Sequence, residues 1–155
     1  MRAEFPGEEE QVALLECNLD DMTGEELGYI LGRLFDAGAL DVWFTPVFMK
    51  KNRPGVVLSV LCALEEAPRL RALILAETST LGVRWQVFQR EVAERKVVQV
   101  ETPWGLVRCK LKMLEGHVVG AKPEFDDCAR LAREQGIPLE EVLAEARKNC
   151  QAFLQ

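Results

Sequence analysis

Three polar segments of this 155-residue chain carry the residue types that bind metal ions and phosphates. The first segment is NLDDMTGE (18–25), which contains the adjacent carboxylates of Asp20 and Asp21. The second is MKKNRPG (49–55), and the third is ETSTLGVR (77–84). Carboxylate and hydroxyl oxygens are ligands for Mg²⁺ or Mn²⁺, and lysine and arginine bind phosphate oxygens. If the fold brings the three segments together, we expect a metal–phosphate site.

The second segment concentrates positive charge in a chain whose net charge is −6. Its asparagine, proline and glycine already supply the chemistry that a turn needs. Lys50, Lys51 and Arg53 are not required for the turn, so they indicate an anionic ligand. The alternative is a solvated turn whose charges only prevent edge-to-edge strand pairing.

The other two segments also have simpler explanations. Asp20 and Asp21 precede a predicted helix and can serve to cap it. Thr78, Ser79 and Thr80 can cap a second helix or shape the turn that follows it. A functional site is favoured over these explanations only if all three segments converge.

The apolar pattern predicts the elements that position these segments. Their order is strand, helix, strand, strand, helix, strand, which is the split βαβ arrangement of ferredoxin-like domains. In such a sheet the first two strands run one way and the last two run back. The loop after the first strand, the hairpin and the loop before the fourth strand then emerge at one end. We call these three segments together the rim.

Local signals support this order of elements. Thr23 and Glu26 have the spacing of a capping box at the start of the first helix. Pro46 lies inside the second predicted strand, which indicates an edge position or a bulge. Pro68 is suited to the first turn of the second helix.

The remainder of the chain predicts an added β-hairpin and two terminal helices, so the fold class is α+β. The hairpin strands flank Pro103-Trp104-Gly105, and the second alternates apolar and basic residues, as expected for a sheet with one wet face. We expect a flexible leader or linker over 1–11 and a single nucleotide-binding domain over 12–155. Its ferredoxin-like core would span about 12–93 and the extension about 94–155.

Composition excludes several classes of protein. No apolar run approaches the roughly 20 residues of a membrane span, and the acidic balance argues against DNA or RNA binding. Five cysteines without a CxxC spacing fit buried, reduced thiols in a cytoplasmic protein better than disulfides. His117 is the only histidine, so a histidine-based metal cluster is excluded.

The motifs DDMTGE, MKKNRPG and ETSTLG occur here in one order, followed by VETPWGLVRCKL and KPEFDDCARLA. Together they resemble the C-terminal half of the nickel-insertion proteins that mature the nickel-pincer cofactor of lactate racemase. The resemblance implies a nickel chelatase, or cyclometallase, which is a metal-inserting lyase. It would insert nickel into pyridinium-3,5-bisthiocarboxylic acid mononucleotide and hydrolyse CTP with Mg²⁺ or Mn²⁺. Members of this family are usually about twice as long, so we expect an N-terminal domain of the same protein as a partner.

The resemblance and the rim residues agree on a divalent cation and a triphosphate. Candidate metal ligands are Asp20, Asp21, Glu77 and Glu124. Candidate phosphate-binding residues are Lys50, Lys51, Arg53, Arg84, Ser79, Thr80 and Lys122. We also expect a homo-oligomer.

Two alternatives come from other classes of protein. A regulatory module of ferredoxin-like fold would bind a nucleotide without turnover. A structural oligomerisation domain, in which the basic hairpin packs against an acidic neighbour, would bind no nucleotide.

Overall fold

The computed structural model describes residues 8–154 and divides into two compact units. The N-terminal unit comprises residues 9–90 and the C-terminal unit residues 91–154. This division falls close to the expected boundary between core and extension, but the extension is a compact unit with its own core. The first strand begins at Glu8, so residues 8–11 belong to a strand and not to a leader. The rest of the expected leader lies outside the described residues.

The N-terminal unit has the predicted order of strand, helix, strand, strand, helix, strand, and the α+β class is confirmed. Its elements are β1 (Glu8–Leu19), α1 (Gly24–Asp36), β2 (Asp41–Met49), β3 (Arg53–Ala63), α2 (Ala67–Glu77) and β4 (Arg84–Val92). The strand order in the sheet is β2-β3-β1-β4, so β2, which contains Pro46, is an edge strand as predicted. Proline is tolerated there because an edge strand leaves part of its backbone unpaired.

The strand register brings the end of β1 and the β2–β3 hairpin to one edge of the sheet. Strand β3 is antiparallel to both β1 and β2. Leu19, the last residue of β1, lies opposite Val56, and Met49, the last of β2, lies opposite Arg53. Both chain reversals therefore lie where β3 begins.

The core of the N-terminal unit lies between the sheet and the two helices. Helix α1 contributes Ile30 and Leu34, and α2 contributes Leu70 and Ile74, all with no exposed surface. These positions recur at helical spacing, so one side of each helix is apolar and packs on the sheet. Burial of this apolar surface fixes both helices, and hence the loops at their ends.

The C-terminal unit contains one more strand than the sequence predicted. Its elements are β5 (Glu94–Thr102), β6 (Gly105–Leu114), β7 (His117–Pro123), α3 (Phe125–Gln135) and α4 (Leu139–Gln151). The three strands form an antiparallel sheet in the order β5-β6-β7. The expected hairpin is thus extended by β7, which contains the only histidine and Lys122. The two predicted terminal helices are present.

All five cysteines are buried and free, which confirms the expectation of reduced, packed thiols. Cys109, Cys128 and Cys150 lie together in the core of the C-terminal unit. Burial, with a hydrogen bond between the Cys150 thiol and Cys109, raises the pKa of Cys150 to about 12. A neutral thiol is a small apolar group, so these side chains serve packing. No helix within residues 8–154 is long and apolar enough to span a membrane.

Candidate functional site

The basic hairpin adopts a backbone conformation that is unfavourable for its residue types. A short 3₁₀ turn covers Lys50–Asn52, in which Lys51 has φ 60° and Asn52 has φ 57°. The left-handed region is uncommon for residues other than glycine, and asparagine tolerates it better than lysine. Lys50 and Lys51 are exposed and form no ion pair with any residue in 8–154. A left-handed lysine at an exposed turn is the kind of local strain that accompanies functional sites.

Gly55 holds the hairpin against the end of β1. A Cβ atom at this position would lie 2.6 Å from the Leu19 carbonyl oxygen and 2.9 Å from the Met49 sulfur. The nearest atom belongs to the backbone and cannot move aside as a flexible side chain can. Only glycine therefore permits this approach, which places Asp20 beside the hairpin.

Two side-chain contacts join the three rim segments. Arg53 Nη1 donates to Asp20 Oδ2 at 3.4 Å, which connects the hairpin to the loop after β1. Ser79 Oγ donates a hydrogen bond to Asp21 Oδ1, which connects the third segment to the same loop. The adjacent carboxylates of Asp20 and Asp21 thus lie between a cation and a hydroxyl. The structure brings these predicted site residues together.

The helix-capping alternative for the two aspartates is wrong. Thr23 is the N-cap of α1, and its side chain accepts a hydrogen bond from the Glu26 backbone nitrogen at 3.3 Å. The Thr23 backbone nitrogen donates to the Glu26 carboxylate at 2.7 Å, which completes the predicted capping box. These bonds also lower the pKa of Glu26. Asp20 and Asp21 are not needed to cap the helix.

The three hydroxyls of the third segment have different roles. Thr78 Oγ1 donates to the Ile74 carbonyl at 2.7 Å and so ends α2. Thr80 Oγ1 donates to the Gly82 carbonyl at 3.0 Å, within its own turn. The simpler, structural explanation therefore describes both threonines. Ser79 alone directs its hydroxyl to another rim segment.

Arg84 is held by side chains that the sequence analysis did not identify. Its Nε donates to Glu16 Oε2 at 3.1 Å and its Nη1 to Asn18 Oδ1 at 2.5 Å. Glu16 and Asn18 alternate along β1 with the buried Leu15 and Cys17, so they project from the opposite face of the sheet. That alternation was the signal that could have indicated them as partners for a cation on the neighbouring strand. Arg84 begins β4 with its guanidinium fixed in orientation.

The remaining predicted residues do not join these contacts. Glu77, the last residue of α2, pairs with Arg33 at 3.1 Å. Glu124 pairs with Lys110 at 2.8 Å within the C-terminal unit, which also contains Lys122 in β7. Of the four carboxylates predicted as metal ligands, only Asp20 and Asp21 lie next to each other in the rim.

The rim residues do not form a complete metal site by themselves. No group of three or more His, Cys, Asp or Glu side chains within residues 8–154 is arranged to hold a metal ion. A groove of about 520 Å³ lies between α1 and α2 and contains no predicted site residue. A cation bound at Asp20 and Asp21 would therefore complete its coordination with hydroxyl, water or ligand oxygens.

Comparison with known proteins places the chain in a family. The family model described as nickel insertion protein matches residues 2–143, so the chain belongs to the nickel insertion protein family. One relative, the pyridinium-3,5-bisthiocarboxylic acid mononucleotide nickel insertion protein of Geobacillus kaustophilus, is 47% identical over 142 residues. A putative nickel insertion protein of Pelobacter propionicus is 50% identical over 132 residues.

A solved structure is similar over almost all of its length. It is LarC2, the C-terminal domain of a cyclometallase involved in the synthesis of the NPN cofactor of lactate racemase, in its apo form. The TM-score is 0.86 at 42% identity, and the match covers 92% of this chain and 98% of that domain. The Geobacillus match covers 92% of this chain but 34% of the relative, and the Pelobacter match covers 85% and 34%. The chain spans about a third of the length of the curated relatives that it matches.

Proposed function

We propose that this chain supplies the metal–CTP-binding part of a protein that inserts nickel into pyridinium-3,5-bisthiocarboxylic acid mononucleotide. Family membership supports the nickel-insertion reaction, and the names of three relatives include this mononucleotide. The observation that carries the assignment to this chain is the convergence of the rim, in which Arg53 contacts Asp20 and Ser79 contacts Asp21. Nickel is a substrate metal in this proposal.

The rim cations support a triphosphate as the ligand. Lys50 and Lys51 project from an exposed turn without ion partners in the described part of the chain. Arg53 and Arg84 present planar guanidinium groups, which bind phosphate oxygens with two parallel hydrogen bonds. Charge that develops on the phosphates during hydrolysis would be stabilised by these preorganised cations.

The oxygen donors of the rim fit a hard divalent cation. Asp20 and Asp21 supply carboxylates, and the Ser79 and Thr80 hydroxyls lie in the neighbouring segment. Mg²⁺ and Mn²⁺ are commonly held by one or two carboxylates, with substrate phosphates and water in the other positions. Two aspartates without a third protein ligand suit this shared coordination.

Titration calorimetry with CTP, ATP and GTP, each with and without Mn²⁺, tests the proposal. We expect CTP to bind in the presence of Mn²⁺ and binding to be largely lost on chelation. In Asp20→Asn and Asp21→Asn, the gain in CTP affinity from Mn²⁺ should be lost, because the amide is a poor ligand for a hard cation. The CTP affinity without metal should change less.

The matched control is Glu66→Gln. It removes an acidic partner of an arginine at the same 3.4 Å distance, but near the start of α2. CTP binding by this variant should depend on Mn²⁺ to the same extent as CTP binding by the unaltered chain. Absence of CTP binding with Mn²⁺, or binding that chelation does not change, would contradict the proposal.

A further inference from the structure

The sheet of the C-terminal unit places like charges directly opposite each other. Arg95 on β5 is the register partner of Lys112 on β6, and Lys110 on β6 is the partner of Lys122 on β7. Cross-strand pairs of like charge destabilise a sheet. Two such pairs in three short strands are therefore not explained by folding.

These four cations lie on one face of the sheet, which we call the basic face. The alternate residues of β6, among them Val107, Cys109 and Leu111, are buried against the helices. Because successive strand residues project to opposite sides, Lys110 and Lys112 lie on the other side together with their register partners.

Few acidic groups neutralise the basic face. Glu124 pairs with Lys110 at 2.8 Å, and a fifth cation, Arg108, is paired with Asp127 at 2.8 Å. No carboxylate within residues 8–154 forms an ion pair with Arg95, Lys112 or Lys122. A chain with net charge −6 thus maintains a local surplus of positive charge at a cost in stability.

The basic face borders a groove of about 400 Å³, whose lining contains four cations and one carboxylate. The lining residues are Ala93, Glu94, Arg95, Lys110, Leu111, Lys112, Gly120, Ala121 and Lys122. Gly120 lies opposite Lys112 and leaves the space beside it free of a side chain. With strands about 4.8 Å apart and alternate residues about 6.7 Å apart, the four side chains originate within an area of roughly 10 by 7 Å. This area matches a small molecule with one phosphate and not a polymer.

We propose that the basic face binds a phosphate monoester of the mononucleotide class. A phosphate monoester carries a charge of about −1.5 to −2 at neutral pH, and lysine and arginine bind it through charge-assisted hydrogen bonds. Such an anion relieves the repulsion within both opposed pairs at once. The overall negative charge of the chain disfavours a polynucleotide as the ligand. The choice of a mononucleotide rests on the proposed function, whereas the choice of a phosphate rests on the basic face itself.

Nicotinic acid mononucleotide, which carries a pyridinium ring, a carboxylate and one phosphate, is a suitable probe for titration calorimetry with the whole chain. We expect it to bind, and its riboside, which lacks the phosphate, to bind at least ten-fold more weakly. Arg95→Gln and Lys112→Gln should each lower the affinity for the mononucleotide about ten-fold, which is the effect of losing one charged hydrogen bond. The same substitutions should leave the melting temperature equal or higher, because each removes one cation of a repelling pair.

Lys96→Gln is the matched control, because it makes the same charge change on the neighbouring residue of β5, which projects to the opposite face. Its affinity for the probe should be unchanged. Equal weakening by Lys96→Gln, no weakening by Arg95→Gln and Lys112→Gln, no binding by the unaltered chain, or tighter binding of a single-stranded oligonucleotide would each overturn the proposal.

The same variants separate this proposal from the metal–CTP site. Arg95→Gln and Lys112→Gln should retain Mn²⁺-dependent CTP binding, and Asp20→Asn should retain binding of the mononucleotide probe. If the unaltered chain bound the mononucleotide probe but not CTP, the proposed function would be contradicted and the proposal for the basic face supported. If it bound CTP but not the probe, the proposal for the basic face would be contradicted and the proposed function supported.

Discussion

The rim of the N-terminal unit and the basic face of the C-terminal unit carry their charges in opposite ways. In the rim, opposite charges from distant segments meet, as Arg53 does with Asp20. On the basic face, like charges lie opposite each other, as Arg95 does with Lys112. Both carboxylates of the rim therefore have a partner before any ligand arrives, whereas Arg95, Lys112 and Lys122 of the basic face have no acidic partner within residues 8–154.

This difference has a consequence for ligand binding. At the proposed metal–CTP site, a divalent cation bound to Asp20 would compete with Arg53 for the same carboxylate, and the released guanidinium would be free to contact a phosphate oxygen. Metal and nucleotide should then bind the rim cooperatively, because each takes the place of one partner in an existing pair. The basic face needs no such exchange, so its affinity for an anion should not depend on a divalent metal.

The largest effect expected from this comparison concerns Arg53. Arg53→Ala, like Lys50→Ala, should weaken CTP binding in the presence of Mn²⁺ by about 1.5–3 kcal/mol, the scale of a charged hydrogen bond. The melting temperature should barely change, because an exposed ion pair contributes little to stability. Calorimetry and thermal unfolding of the same samples measure both quantities.

Arg69→Ala is the control for this variant. Arg69 pairs with Glu66 at 3.4 Å, the distance of the Arg53–Asp20 pair, and its side chain is 65% exposed compared with 57% for Arg53. Its CTP affinity should be that of the unaltered chain. Equal affinities in Arg53→Ala and Arg69→Ala would show that the rim cations do not bind the nucleotide.

The next largest effect concerns the backbone that joins the rim. Gly55→Ala should lower the free energy of unfolding by about 1–3 kcal/mol, the usual cost of an inserted methyl group in a packed site. The reason is the 2.6 Å approach of the new Cβ to the Leu19 carbonyl oxygen. Because relief of this clash moves the hairpin away from Asp20, metal-dependent CTP binding should weaken as well. Denaturant unfolding and calorimetry are the measurements.

Gly32→Ala is the corresponding control, because no atom lies within 4 Å of a Cβ at that position in α1. Alanine is the better helix former by about 1 kcal/mol, so this variant should be more stable than the unaltered chain. If the two alanine variants had the same stability, the close approach at Gly55 would not be a real constraint.

The sequence predicted those features of the site that depend on local pattern or on strand order. The Thr23–Glu26 capping box follows from a three-residue spacing. Pro46 indicated an edge position or a bulge for β2, and the edge position is the one observed. Convergence of the rim followed from the order of elements, since the direction of each strand fixes the end at which its loop emerges. Each of these inferences needed no knowledge of side-chain positions.

The features that the sequence did not predict depend on register and on weak strand signals. The pairing of Arg84 with Glu16 and Asn18 requires knowing which residues of β1 and β4 are neighbours. Strand β7 is short and contains Gly120, which weakens its strand propensity. Gly116 was a usable sequence signal for the turn before β7, because glycine is favoured in two-residue hairpin turns. In the structure both Glu115 and Gly116 have positive φ, as such turns require.

The smallest effect concerns a pair of opposite charges beside the basic face. Arg108 donates to Asp127 from Nε at 2.8 Å, from Nη2 at 2.9 Å and from its backbone nitrogen at 2.9 Å. These bonds hold the pKa of the Asp127 carboxyl below its ordinary value. A carboxyl whose pKa is lower in the folded than in the unfolded chain adds stability above the unfolded value, about 3.9, and this stability is lost as the pH falls through the folded value.

Asp127→Asn should therefore lower the melting temperature near pH 7 and make it less sensitive to acid between about pH 5 and pH 2. Glu134→Gln is the control, because the Arg130–Glu134 pair has a similar 2.9 Å distance but its Glu134 side chain is 52% exposed, compared with 14% for Asp127. An exposed pair within one helix contributes little, so this variant should follow the unaltered chain across the pH range. Parallel pH profiles for Asp127→Asn and the unaltered chain would mean that the Arg108–Asp127 pair does not stabilise the C-terminal unit.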